Sequence, residues 1–488
     1  MNKFIPIHFP DKIKIINPQG FIGVVTLWSE IKWVVDKMRN IGIDLSPETS
    51  PVAAIGNLYG NGLPELIRNL LYNPQVSRIV ICGNDRSGSG EELMKFFRDG
   101  LEEVDFLGDK NYGIKGTSRL IDGMATPDMF IEKPEIYCVG ELKINESTNR
   151  LKEAIQKEAI RKEAIQKEAI FPDIKIKRIK IPLPEIHINR FPSNPRNHNI
   201  TADNPLKAWA ELIFRIYRFG HLVHLKKGGR QEIQNAKVVV ENPDFIAPEK
   251  LREFGFNFDE FQNYYDHFLD RDLPPDTTYT YGNRIASYFG KNTIDDCISS
   301  LKKDPEDRKS YICLWDSGRD ISSSCGHPCL VAIYFRKFEG KLTLTATFRT
   351  HNSIDAWLKN FYGLMKVQKT VSDAVNIQPG AITVISHSIS IDPRRIDIAK
   401  SIASKRGFEV NIDPCGNFSI KIENGEIVVR HFISGIQIDE YKGKKPVKIQ
   451  HELYKNCAIS DINHAIYVGR MLERAGMCLK TGEEFVQG

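Results

Sequence analysis

No apolar run in these 488 residues approaches the ~18 needed to cross a membrane, so the sequence predicts no membrane partner. A dominant charge is missing as well. The 67 basic and 62 acidic side chains leave a net charge of +5, too small and too dispersed to argue for nucleic acid. Met1 to Pro6 lack the long apolar core of a signal peptide. The nine cysteines are odd in number and form no C-x-x-C pair, which argues against a disulfide framework and fits a reducing cytoplasm. Cys325 and Cys329, on either side of His327, are the only close pair; with no second ligand pair beside them, no metal site is expected. What remains, 41% hydrophobic with near-balanced charge, is an ordinary globular composition long enough for two or three domains.

One segment concentrates chemistry. Gly326-His327-Pro328-Cys329 opens an apolar run, Leu330 to Phe335, that reads as a buried strand. A second strand pattern, Leu342 to Phe348, ends at Arg349, twenty residues after the cysteine. Lys337-Phe338-Glu339-Gly340-Lys341 between them is a hairpin-type connection. Such a hairpin would bring Cys329 close to Arg349, and a fixed cation beside a thiol favours the thiolate, the form a nucleophile needs. The plainer alternative is a buried structural cysteine with a surface arginine.

The first ~140 residues alternate strand and helix patterns, which predicts a parallel sheet covered on both faces. Phe21 to Leu27, Val52 to Ile55 and Arg78 to Gly83 read as strands. Ile31 to Met38, Pro64 to Leu71 and Glu91 to Phe97 read as helices. The turn Asn84 to Gly90 could hold an anion at the following helix N-terminus, or could simply be a short strand-to-helix connection. Lys-Glu-Ala-Ile then recurs at 152, 157, 162 and 167. A five-residue period gives the isoleucines no single stripe, so this reads as a helical spacer and not a coiled coil. Lys175 to Ile181 alternates basic residues with isoleucine, the period of a strand with one wet face. Beyond ~400 come a helical pattern from Asp397 to Lys405, a hairpin around Glu423 to Glu426, and an amphipathic helix from Asp461 to Lys480.

Taken together, several motifs resemble the thymidylate synthase family over roughly residues 200 to 400. Pro328-Cys329 is similar to its proline-cysteine nucleophile, Arg349-Thr350 to an arginine-serine pair at the same distance, and Asn360 to an asparagine eleven residues further on. Tyr281-Gly282-Asn283-Arg284, Asp304 to Lys309, and Glu211 to Ile216 look like further family segments, in family order. The resemblance implies a Cys329 thiolate that adds to carbon 6 of a uracil ring, with Glu211 organising water and relaying protons. It implies that Asn360 hydrogen-bonds the pyrimidine edge, that Arg349 and Thr350 hold the phosphate, and that Arg308 and Lys309 contribute across a homodimer interface. It assigns Tyr281 to the substrate site and His387 to the ribose hydroxyl. Methylene-tetrahydrofolate or methylene-tetrahydromethanopterin would be the cosubstrate. Taken singly, Glu211, Arg308 and Lys309 could be surface charges, Asn360 a helix cap and His387 a core histidine.

The pattern also departs from the family. Leu330 stands where the family has histidine, Asn352 where it has aspartate, Ala356-Trp357-Leu358-Lys359 where it has glycine-leucine-proline-phenylalanine, and Ile389 where it has tyrosine. Arg196 is the candidate for an early phosphate-binding arginine. The N-terminal part resembles the corrinoid-binding component of tetrahydromethanopterin S-methyltransferase, with Ser89 where that component has its cobalt-ligating histidine. The expected fold class is therefore α/β: a parallel-sheet domain over 1–145, a helical linker over 146–172, an α+β thymidylate synthase-like domain over 173–400 and a C-terminal extension over 401–488. The expected partners are a small-molecule nucleotide and a pterin. A pyrimidine nucleotide hydroxymethylase and a non-catalytic one-carbon carrier-binding module are the alternatives, and Asn360 argues against a cytosine substrate.

Overall fold

Short apolar runs alternating with amphipathic stretches build the first sheet in the expected order: β1 (Ile13–Ile15), β2 (Ile22–Val25), α1 (Ile31–Asn40), β3 (Val52–Gly56), α2 (Leu63–Tyr72), β4 (Arg78–Cys82) and α3 (Ser89–Asp99). The computed structural model describes all residues except 1–2, 169–176, 186–190, 194–195, 226–227, 276, 324–325 and 407–411. It divides into two units, Met1–Arg406 and Gly407–Gly488. A small antiparallel sheet that the pattern did not signal, β5 (Leu101–Phe106), β6 (Asp109–Ile114) and β7 (Leu120–Ile121), precedes β8 (Glu135–Gly140). The main sheet runs β1-β3-β2-β4-β8, parallel except for the edge strand β1.

Both faces of that sheet are buried, which is why β4 reads as an unbroken apolar run. Ile67, Leu93 and Phe96 cover one face; Val34, Met38, Leu151 and Ile155 cover the other. The last two belong to α4 (Asn145–Glu168), so the first turns of the repeat-bearing helix are packed in the core. Strand order reverses between β2 and β4, and the loops after both strands meet at the carboxyl edge of the sheet, a topological switch point. Of the expected strand Lys175 to Ile181, 175–176 lie outside the described residues and 177–181 join no sheet. That stretch runs along α2 instead, Ile179 N–H donating to the Leu71 carbonyl (3.1 Å) while Ile179 and Ile181 pack on the core. Alternating isoleucines can be buried against a helix without a strand partner, and the two cases have the same sequence pattern.

The rest of the first unit comprises β9 (His198–Ala202), α5 (Pro205–Phe219), β10 (His221–Leu225), β11 (Gly228–Val240), α6 (Pro248–Glu253), α7 (Phe258–His267), α8 (Tyr281–Ala286), α9 (Thr293–Lys303), β12 (Tyr311–Cys313), β13 (Leu330–Phe338), β14 (Lys341–Phe348), β15 (His351–Asn352), α10 (Trp357–Val375), β16 (Pro379–Ile391) and α11 (Ile396–Ser404). Its sheet runs β10-β11-β16-β14-β13-β12, with β9 on β11 and β15 on β16. Along β14 every second residue, Leu342, Leu344, Ala346 and Phe348, is fully buried on the face that α10 covers. The β13–β14 hairpin closes through Glu339 (φ 49°) and Gly340 (φ 78°), two consecutive left-handed residues, as a two-residue type I′ turn requires.

The parallel-sheet domain docks on this body. Phe106, Leu107 and Leu120 pack against the larger core, and Asn61 Nδ2 donates to Asp355 (3.2 Å). Arg394 donates to the Asn61 carbonyl (3.3 Å) and pairs with Glu65, while Ser401 donates to Asp109.

In the second unit, β17 (Asn417–Glu423), β18 (Glu426–Ile433) and β19 (Ile436–Gly443) form an antiparallel sheet, covered by α12 (Pro446–Lys455) and α13 (Ile462–Thr481). Asn424-Gly425 makes the expected hairpin turn. Asp413 organises the approach to α13, accepting from Ser460 Oγ (2.6 Å), His464 Nδ1 (2.9 Å) and the N–H groups of Cys415 and Asp461. Burial alone would raise its pKa, but these bonds outweigh it and hold the carboxyl well below the usual range.

A β-carbon added at Gly363 in α10 would lie 2.2 Å from ring carbons of Phe268. Gly363→Ala is expected to destabilise the first unit by about 1–3 kcal/mol through overpacking. Adding Phe268→Ala should then cost less than it does in the wild-type background, as measured by urea unfolding midpoints.

Candidate functional site

The pairing Leu330↔Phe348 at the open end of the hairpin sets Cys329 and Arg349 side by side. Arg349 N–H donates to the Cys329 carbonyl (2.9 Å). Its guanidinium donates through Nε to the Pro328 carbonyl (2.9 Å) and through Nη2 to that of His327 (3.4 Å), with the Trp315 ring centroid 5.3 Å away. Arginine can do this because its planar fork presents several donors in fixed directions. Cys329 is half-buried; Cys325 lies outside the described residues. The loop leading to it is anchored upstream by a buried bidentate pair, Arg284 to Asp320 (2.6 and 3.0 Å), which ties α8 to the segment after Leu314.

Three tyrosines line the thiol. Tyr281, at the start of α8, accepts the Leu330 backbone N–H, and Tyr279 stands with its ring centroid 5.9 Å from that of Tyr281. Tyr264, from α7, donates to Asn360 Oδ1 (2.7 Å). Burial raises the pKa of all three, and the neighbouring Cys329 pushes in the same direction, so each hydroxyl stays protonated. Asn360, buried in the first turn of α10, donates through Nδ2 to His351 Nε2 (3.0 Å). That bond leaves the imidazole proton on Nδ1, facing Ser386 Oγ at 3.2 Å. His351 stacks on Phe348 (4.0 Å between centroids), and burial drives its pKa down from 6.5 to about 3, so it is neutral at physiological pH.

Thr350 is half-buried next to Arg349 and makes no side-chain hydrogen bond among the described residues. His387 is exposed on β16, level with Arg349 and Thr350, since Phe348 pairs with Ser386 and His351 with Ile389. Glu211, on α5, is bound by Arg215 Nε (2.7 Å) and by Arg406, and no described contact links it to Cys329. Arg308 and Lys309 are exposed before β12. The Ser310 carbonyl accepts from Phe335 N–H, which sets Ser310 six residues along β13 from Cys329, roughly 20 Å at the usual strand rise, and Lys309 beyond it. Arg196 is exposed just before β9. At the α3 N-terminus the anion position is taken by the protein itself, for Asp85 Oδ2 accepts from Gly90 N–H (3.0 Å). Ser89 is buried there, 2.9 Å from Ser87 Oγ. Among the described residues no group of three His, Cys, Asp or Glu side chains comes together as a metal site, and no helix is long and apolar enough to cross a membrane.

In this α/β protein a thiol thus stands next to a guanidinium, with protonated tyrosines and a buried amide close by. Comparison with known proteins goes further. A protein of Methanothermobacter marburgensis named "Putative thymidylate synthase" is 30% identical over 207 residues, which are 40% of this chain and 91% of that protein. Proteins of the same name from Methanothermobacter thermautotrophicus (28% over 207 residues; 40% and 91%) and Methanosarcina barkeri (28% over 197 residues; 40% and 89%) are similar too. Separately, the family model described as PterinBD-DUF4346 matches residues 412–488, within the second unit. The chain belongs to the thymidylate synthase family of these archaeal proteins.

The sequence pattern by itself marks no role for His351, Tyr264 or Tyr279. His351 stands inside the Phe348 to Asn352 segment; the tyrosines show only as aromatic richness between Phe261 and Tyr281.

His351 gives a pH signature. Below about 6.5 the unfolded chain takes up a proton that the folded site refuses until about pH 3, so this stabilisation is complete above pH 6.5 and is lost as pH falls. Between pH 7 and pH 5 it amounts to at most ~2 kcal/mol. His351→Gln should flatten the pH dependence of the urea midpoint over that range; an unchanged slope would mean that His351 protonates freely.

Proposed function

We propose that the chain converts dUMP to dTMP through a covalent adduct at Cys329, with a methylene-carrying reduced pterin as cosubstrate. The observation that carries this reading is the placement of Cys329 beside Arg349 at one strand end, with the Asn360 amide and protonated tyrosines around it. The thiolate sulfur would form a bond to carbon 6 of the uracil ring, moving the carbon 5–carbon 6 π electrons toward oxygen 4 and making carbon 5 nucleophilic. Carbon 5 then takes the one-carbon unit and loses its proton, and the sulfur leaves as the ring double bond re-forms. A reduced pterin, when bound, supplies that unit and the hydride that reduces it to methyl. Asn352, exposed at the same strand end and bonded to Asp355 (3.0 Å), offers amide chemistry of the kind a pterin edge takes. The match at 412–488 also supports a pterin ligand.

In this reading Asn360 recognises the N3–H and O4 edge, and Arg349 with Thr350 takes the phosphate. His387 reaches the ribose, while Tyr281 positions Cys329 through Leu330. Glu211 remains the proposed proton relay, and to act as one it must give up Arg215 or Arg406. Arg308 and Lys309, far along β13 in their own chain, would reach phosphate only from the other half of a dimer. The likeness of the N-terminal domain to a corrinoid-binding methyltransferase component extends the one-carbon theme; with serine at position 89 it offers no cobalt ligand there.

Incubation of the protein with 5-fluoro-dUMP and methylene-tetrahydrofolate, followed by intact-mass analysis, tests the reading. A ternary adduct is expected in wild type and not in Cys329→Ala, whose turnover should fall by at least ~10³-fold. No adduct in wild type, or one that survives in Cys329→Ala, would overturn the assignment. A product heavier by a hydroxymethyl than by a methyl would make the enzyme a hydroxymethylase.

A further inference from the structure

The switch-point edge of the N-terminal sheet faces the thiol site. The turn after β4 carries Arg86, an exposed residue whose one hydrogen bond among the described residues goes to the Thr277 hydroxyl. Thr277 lies two residues before Tyr279, in the segment that leads into α8 and delivers Tyr281 to the Leu330 backbone. The Tyr279 hydroxyl is within electrostatic reach of Cys329, Arg349 and Arg86, and the Tyr264 hydroxyl within reach of Arg86 and Cys329. Two guanidinium groups from different parts of the chain thus stand around the Tyr279 hydroxyl, which itself neighbours the thiol.

Among the described residues neither guanidinium has an acidic partner there. Arg349 spends its Nε and one terminal nitrogen on backbone carbonyls. The carboxylate nearest Arg86 in sequence, Asp85, is engaged with the N-terminus of α3. Convergent cations repel unless an anion is brought between them, and a phosphate dianion accepts from two arginine forks at once. The placement of Arg86 is not left to a loose loop. The turn carrying it opens α3, and the domain is pinned to the body through Asn61, Glu65, Asp109 and the Phe106–Leu107 contact.

We infer that Arg86, carried by the N-terminal domain, is a substrate-binding residue of the Cys329 site that pairs, together with Arg349, with the 5′-phosphate of the nucleotide. This rests on the dUMP reading above and adds to it a role for the N-terminal domain: it completes the nucleotide site in cis, within one chain.

The test is calorimetric titration of the full-length protein with dUMP and with 2′-deoxyuridine, which lacks the phosphate, in wild type, Arg86→Ala and Thr277→Val. Wild type is expected to prefer dUMP. That preference should fall at least tenfold in Arg86→Ala, and less, in the same direction, in Thr277→Val, which removes only the hydroxyl that seats the guanidinium. Unchanged thermal melting of the variants would show that the loss is local. An unaltered preference in Arg86→Ala, or a loss of affinity confined to methylene-tetrahydrofolate, would overturn the inference while leaving the thymidylate reading intact. Failure of wild type to bind dUMP at all would overturn both.

Discussion

The pairing of β13 with β14 fixes almost everything of chemical interest in this chain. Leu330 stands opposite Phe348, and the residues just outside that pair are Cys329 and Arg349. The Arg349 fork then closes on the carbonyls of Pro328 and His327, so a cation that could roam the surface is held at the thiol by backbone oxygens. A slip of the hairpin by one residue would turn Leu342, Leu344, Ala346 and Phe348 to the wrong face, because side chains alternate along a strand. The burial of those four residues therefore protects the thiol–arginine geometry far more strongly than any contact at the site itself.

Behind this pair lies a polar chain with its partners assigned: Tyr264 to Asn360, Asn360 to His351, His351 to Ser386. Polar groups buried without partners would each cost ~1–3 kcal/mol, and linked in series they set one another's orientation. The amide of Asn360 cannot turn over without breaking bonds at both of its ends. Because His351 is neutral and the tyrosines protonated, these side chains carry no charge, and the fixed charge near them comes from arginines.

Much of this was legible in the sequence, for identifiable reasons. The parallel strands of the first domain are short apolar runs bounded by turn residues, and the hairpin turns at Glu339-Gly340 and Asn424-Gly425 are marked by glycine. The thiol–arginine pair was legible because it depends on one local connection. Lys177 to Ile181 was misread because burial against α2 imitates strand periodicity. The β5–β7 sheet escaped notice because its strands, such as Leu-Glu-Glu-Val-Asp-Phe, expose charged residues on a half-covered face. The links from Asn360 to Tyr264 and from Arg86 to Thr277 span 96 and 191 residues. Contacts of that range leave no local trace in a single chain.

The helix α4 has a consequence of another kind. Leu151 and Ile155, its residues seated in the core, precede the second of the four Lys-Glu-Ala-Ile copies. Each repeat is five residues long, a step of about 7.5 Å along a helix. An in-frame copying slip that adds or deletes one of the later copies would change the length of the connection between β8 and β9 by that fixed step while leaving the seated turns in register. The gene thus carries a ruler whose graduations can be gained or lost one at a time, and a tether between two folded bodies can lengthen or shorten without either body being rebuilt.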